Sequence, residues 1–162
     1  MINSNDAIRY TNVVSKKYRF HYLEMKAVLK DFLEAIVRQR ATIKGPLFYS
    51  INNVPTDEWI AGEFFMPIME DEIELADELS FHSYFYIESM ISHRLFTRFE
   101  ALTEVSYRML LDFIELQNLI QATPIFHVLS GDESLMYVTI KIGVAVNGEK
   151  SRQEETVHDL RS

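Results

Sequence analysis

Apolar and polar positions alternate from Val13 to Tyr22, where Tyr18, Phe20 and Tyr22 are separated by Arg19 and His21. A period of two marks a half-buried strand. From Leu23 the spacing lengthens. Ala27, Val28, Phe32, Ala35 and Ile36 recur at helical intervals, and Arg38 and Arg40 put positive charge in the last turn, so a helix is predicted over Leu23–Arg40. Gly45-Pro46 breaks the chain. Leu47–Val54 and Trp59–Met66 read as strands, with a turn at Asn52–Asp57 between them and Pro67 at the end. Residues 1–10 are polar and read as a loose or edge element, and Met69–Ser80 as a short exposed helix or an irregular loop. Phe81–Arg98 is strand-like. Phe99–Thr123 carries Leu102, Val105, Met109, Phe113, Leu116 and Ile120 at steps of three and four, a helix stopped by Pro124. Pro124–Leu129 and Leu135–Val146 are strands around a turn at Ser130-Gly131-Asp132. Asn147-Gly148 is a further turn signal, followed by a polar tail over 149–162.

The pattern repeats. Strand, helix, strand, strand runs once over 13–69 and again over 81–146, within a single domain spanning 1–162. Arg19-Phe20 before the first helix matches Arg98-Phe99 before the second. Asp31-Phe32-Leu33-Glu34 matches Asp112-Phe113-Ile114-Glu115, and Phe48-Tyr49-Ser50-Ile51 matches Phe126-His127-Val128-Leu129. One such unit is too small for a strong core. Two together predict an α+β fold: duplicated β-α-β-β modules about a pseudo-twofold, an antiparallel sheet with two helices on one face, and a groove between the modules.

Composition narrows the chemistry. There is no cysteine, which removes disulfides, thiolate nucleophiles and cysteine-ligated metals. The five histidines form no metal-ligand spacing, and no phosphate loop or nucleophile elbow is present, so no cofactor and no metal are expected, and binding is expected over catalysis. The net charge of -8 argues against nucleic acid as a partner. No apolar run approaches the roughly 20 residues that span a bilayer, and the polar start carries no secretion signal, so a cytoplasmic chain without a membrane partner is expected. The charge is local: no Lys or Arg lies between Lys44 and Arg94, and the acids peak over Glu70–Glu78. This stretch is either a solvated connection or a surface that favours cations.

The duplicated pattern, with Gly45-Pro46-Leu47-Phe48-Tyr49 entering the second strand and Ile60-Ala61-Gly62-Glu63-Phe64-Phe65-Met66-Pro67-Ile68 ending the third, resembles the GyrI-like, or effector-binding, domain over about residues 10–146. The resemblance implies a concave groove that takes small, often cationic or aromatic, compounds. Some members of that family are fused to DNA-binding regulators, and a few hydrolyse a ligand with carboxylate and tyrosine groups. The twelve residues before Val13 cannot hold a helix-turn-helix, so a sensing-type domain without its own DNA-binding segment is expected. Thr139–Val144 lacks the acid and the proline of the first half. A fainter resemblance is to small Bacillus-type proteins encoded near toxin-secretion genes, which would imply a secretion-associated accessory or protein-interaction role.

Glu63 is the leading candidate. Alternation puts it on one strand face with Phe65, where a carboxylate beside aromatic rings would hold a small organic cation, with Trp59 near by. Tyr49, Tyr84, Tyr86 and Tyr137 are candidate walls, and Glu88 shares a face with Tyr84 and Tyr86. No catalytic residue is assigned. A small apolar or cationic molecule is the expected partner and a protein the alternative; a small-molecule hydrolase is the weakest reading.

Overall fold

The computed structural model describes residues 1–52, 58–132 and 134–148, with the side chain of Glu100 outside that description. The polar tail over 149–162 and most of the turn at Asn52–Asp57 lie outside the described residues. The elements run β1 (Asn3–His21), a 3-10 turn (Tyr22–Glu24), α1 (Met25–Arg38), β2 (Phe48–Ile51), β3 (Trp59–Pro67), β4 (Ser80–Leu95), α2 (Phe99–Leu116), β5 (Leu119–Gly131) and β6 (Met136–Val146). The expected order of strand, helix, strand, strand therefore occurs twice.

The sheet differs from the expected one: it closes. Its six strands form an antiparallel barrel in the order β1-β3-β2-β5-β6-β4. Closure depends on the length of β1. Residues 13–21 pair with β3, while residues 3–15 pair with β4, so one strand serves both neighbours. The polar segment 1–10 is thus mostly strand. Its polar residues hid it from an alternation test, because Asp6 accepts from Ser92 Oγ at 2.6 Å and from Lys141 Nζ at 3.2 Å.

Alternation along the strands sorts three apolar clusters. Val14, Ile60, Phe64 and Met66 face outward under α1, which contributes Val28, Phe32, Ala35 and Ile36. Ile91, Ile125, Ile140 and Ile142 face outward under Leu110 and Ile114 of α2. The intervening residues Val13, Phe48, Phe65, Met90 and Phe126 fill the barrel, joined by Tyr10 and Phe85. Phe48 lies parallel to Phe65 at 4.7 Å and to Tyr10 at 5.3 Å. Phe85 meets Phe65 at 4.9 Å. Aromatic rings therefore occupy the middle of the barrel, where offset and edge contacts suit them. Asn12 and Ser89 have φ of 57° and 56°, and beside each of them two inward residues come three apart, Tyr10 and Val13, then Ile87 and Met90.

Two boundaries move. α2 ends at Leu116 because Asn118 takes a left-handed φ of 57°, a residue type that closes helices in this way. Pro124 therefore lies inside β5, at the register shift between Gln121 and Ile125. Met69–Leu79 is an irregular connection, apart from short turns.

Candidate functional site

Glu63 stands on the inward face of β3, which alternation makes it share with Phe65 two residues on. The neighbouring strands determine its surroundings. On β1, Lys17 lies directly opposite it, and on β2, Ser50 does. Ser15, two residues back along the inner face of β1 and only 1% exposed, donates its Oγ hydrogen to Glu63 Oε2 at 2.7 Å. The same Oγ lies 2.8 Å from His82 Nε2 on β4. With the hydroxyl proton committed to the carboxylate, the second bond uses Nε2–H of the imidazole as donor. The three groups form a chain from carboxylate through hydroxyl to imidazole. Glu63 and His82 are half-buried, and Phe65 is 6.1 Å from the imidazole ring. A polar cluster thus closes one end of the aromatic interior. Among the described residues, Glu63 takes part in no ion pair, Lys17 included.

Gly62 makes this geometry possible. A Cβ there would sit 2.7 Å from the Ser50 carbonyl oxygen, so only glycine lets β2 lie this close to β3 beside Glu63.

The other sequence candidates are dispersed. Trp59 begins β3 on the same side as Glu63, half-exposed, edge-on to His21 at 5.9 Å. Tyr49 points the other way, outward, stacked on His127 at 4.5 Å and on Phe64 at 5.2 Å, and burial pushes its phenol up to about 12. Tyr84 and Tyr86 lie on the outside of β4, since Phe85 and Ile87 take the inside, and their rings are 5.7 Å apart. Arg9 on β1 stacks over Tyr86 at 4.7 Å and donates to its hydroxyl at 2.9 Å. Glu88 lines a surface cavity of about 640 Å³ with Asn5, Asp6, Ala7, Arg9, Tyr10 and Ser89. Tyr137 sits at the opposite end of the barrel, beyond the last β4–β6 pair of Leu95 and Val138, with Arg94 4.8 Å over its ring and Phe96 at 5.7 Å. A second cavity, of about 370 Å³, opens between β2 and β5 at Ile51, Asn52 and 121–125.

Of the predicted set, the structure brings together Glu63 and Phe65. Ser15 and His82 escaped the sequence reading, because they come from strands 48 and 67 residues away from Glu63 and Ser15 respectively. Asp6 was also missed. Burial pushes its carboxyl up, but the hydrogen bonds from Ser92 and Ala7 and the Lys141 charge outweigh that and hold it below the ordinary carboxylate range. Among the described residues no group of three His, Asp or Glu side chains is placed to hold a metal ion, and no helix is long and apolar enough to cross a membrane.

The fold has relatives among solved structures. The EcmrR C-terminal domain matches with a TM-score of 0.62 at 12% identity, covering 88% of this chain and 98% of that one. EcmrR in its DNA complex matches with the same score and identity; this chain spans 58% of that chain's length. A hydrolase from Listeria innocua matches with a TM-score of 0.52 at 11% identity, covering 88% and 92%. At such identities the likeness concerns the fold alone. The resemblance to proteins encoded near toxin-secretion genes finds no support in these comparisons. No curated protein matches the chain. Residues 9–146 match the model of DUF5085, a domain of unknown function, and the chain belongs to that family.

Proposed function

We propose that the chain is a small-molecule-binding domain that takes a compact organic cation with an aromatic or apolar body at the Glu63 end of the barrel. The observation that carries this is the position of Glu63: half-buried, outside any ion pair among the described residues, and on the same face as Phe65. A carboxylate in that setting attracts a cation that brings its own apolar surface, and rings near by add cation–π attraction. Ser15 holds the carboxylate in place, so little ordering is left for the ligand to impose. The likeness to the EcmrR C-terminal domain, part of a DNA-binding protein, fits a sensing role. The rings that fill the middle confine the ligand to the mouth of the barrel.

The chain also reads as a duplicated module, a reading supported by the order strand, helix, strand, strand, which runs once through β3 and again through β6.

Calorimetric titration with a hydrophobic quaternary ammonium or phosphonium cation tests the reading. Glu63→Gln is expected to weaken binding about tenfold, the scale of one charge-assisted contact, and Ser15→Ala by less. Absence of binding, or a Glu63→Gln variant that binds as well, would falsify it. The hydrolase reading gains little from Ser15: its proton goes to Glu63 and not to His82, and it is buried. An interaction surface has one observation in its favour, the exposed group of Tyr22, Leu23 and Trp59 beside His21.

A further inference from the structure

The 640 Å³ cavity on β1 and β4 lies apart from Glu63 and has its own chemistry. It exists because the ladder slips there. β1 and β4 lose register between Asn3 and Asp6 and again between Asp6 and Ile8, and Ser89 takes a left-handed φ of 56° on the facing strand. A bulge of this kind bends the strand and re-aims side chains. Two of the re-aimed side chains carry opposite charge. Arg9 faces Tyr86 across the pair, and Glu88 follows Tyr86 by two residues, so the two charges are diagonal neighbours, about 7 Å apart at the backbone. Both line the cavity, yet they form no ion pair with each other or with any other described residue. The third charge in the wall, Asp6, is already neutralised by Lys141 at 3.2 Å.

Arg9 is not loose. One guanidinium nitrogen donates to Tyr86 Oη, and the plane lies over the Tyr86 ring, which leaves the remaining N–H groups in a fixed fork. A fork of this kind suits a carboxylate. Glu88, an acceptor only, suits an ammonium group. A cation and an anion that line one cavity without pairing with each other match a ligand that carries both charges close together.

We propose that this cavity binds a zwitterionic α-amino acid, its carboxylate on Arg9 and its ammonium on Glu88. Asn5 lies in the same wall and adds a polar contact for the bound molecule. The Tyr84–Tyr86 shelf beside Arg9 favours an amino acid with a flat side chain.

The test uses the whole chain and three probes: phenylalanine, its methyl ester, which lacks the carboxylate, and N-acetylphenylalanine, which lacks the ammonium. Binding is followed by chemical-shift changes at the amides of residues 5–10 and 86–89. Phenylalanine is expected to bind at least about tenfold more tightly than either derivative, and Arg9→Met and Glu88→Gln are each expected to lose a similar factor. Equal binding of the methyl ester, with loss only in Glu88→Gln, would reduce the site to a cation site and overturn the proposal. So would no shift with any probe. Glu63→Gln is expected to leave these shifts unchanged, which separates this cavity from the barrel mouth. Circular dichroism melting shows that each variant still folds.

Discussion

The two helices dock on the same barrel by different means. α1 presents Val28, Phe32, Ala35 and Ile36 to Ile60, Phe64 and Met66, and its polar contacts stay at the rim, where Asp31 accepts from Tyr18 at 2.6 Å and from Lys16 at 3.2 Å. α2 buries Leu110 and Ile114 but adds two polar pins. Ser106 meets His93 at 2.7 Å, and the Tyr107 hydroxyl bonds His127 Nε2. His127 is buried, and burial holds its imidazole down to about 3, against a smaller upward pull from the Tyr49 backbone. Burial also pushes the Tyr107 phenol up, assisted by Tyr49 and Glu104. An apolar interface does not sense protons, whereas one containing a buried neutral imidazole does. Proton sensitivity therefore concentrates on the α2 side.

The strongest test of this contrast removes the apolar anchors. Phe32→Ala is expected to cost about 4 kcal/mol and Leu110→Ala about 3 kcal/mol in urea unfolding, since both side chains are fully enclosed. A single transition in each variant would show that both interfaces belong to one cooperative unit; two transitions would split the halves.

Lys141→Met is the next largest. It leaves Asp6 without its cation and the Ala7 carbonyl without its donor, for an expected loss of about 2 kcal/mol. An unchanged urea midpoint would show that Asp6 finds water instead.

Acidification sharpens the comparison. His127 is depressed in the folded chain, so below about pH 6.5 the unfolded chain binds a proton that the folded one refuses. Stability then falls by up to about 1.4 kcal/mol per pH unit until the folded value near 3 is reached. His93, lowered by burial and then by the N-terminal charge, shifts the same way. Asp6 and Asp31 are held below their ordinary value, so their contribution is lost only under about pH 4. Amide protection factors at pH 5, taken relative to intrinsic exchange, are expected to fall in α2 before α1, with His127→Leu removing much of the difference. Equal loss in both helices would contradict the contrast. The smallest effect is expected of Asp31→Asn at the α1 rim, below about 1 kcal/mol, because that pair is half-exposed.

The same contrast shows what was legible in the sequence. The two helices announced themselves through spacing alone, because each lays one apolar stripe on a sheet. That Glu63 shares a strand face with Phe65 followed from a period of two; that this face turns inward did not. Nor did the length of β1, since Asn3 and Asp6 are polar yet sit in the ladder, Asn3 opposite Ser92 and Asp6 hydrogen-bonded by it. The end of α2 was misplaced because Pro124 drew attention from Asn118, the residue that stops the helix. Closure of the sheet, and with it the meeting of Ser15, Glu63 and His82, depends on pairings between distant strands that no local spacing records.

β1 belongs to both halves at once, bonded along one edge to β3 and along the other to β4. A protein built this way has no hinge between its halves. Opening them like a clamshell would tear two ladders of hydrogen bonds, whereas ligand-driven closure in hinged proteins rotates a few backbone angles. Any message that a bound molecule sends through this domain must therefore travel as a small slide or tilt of packed elements.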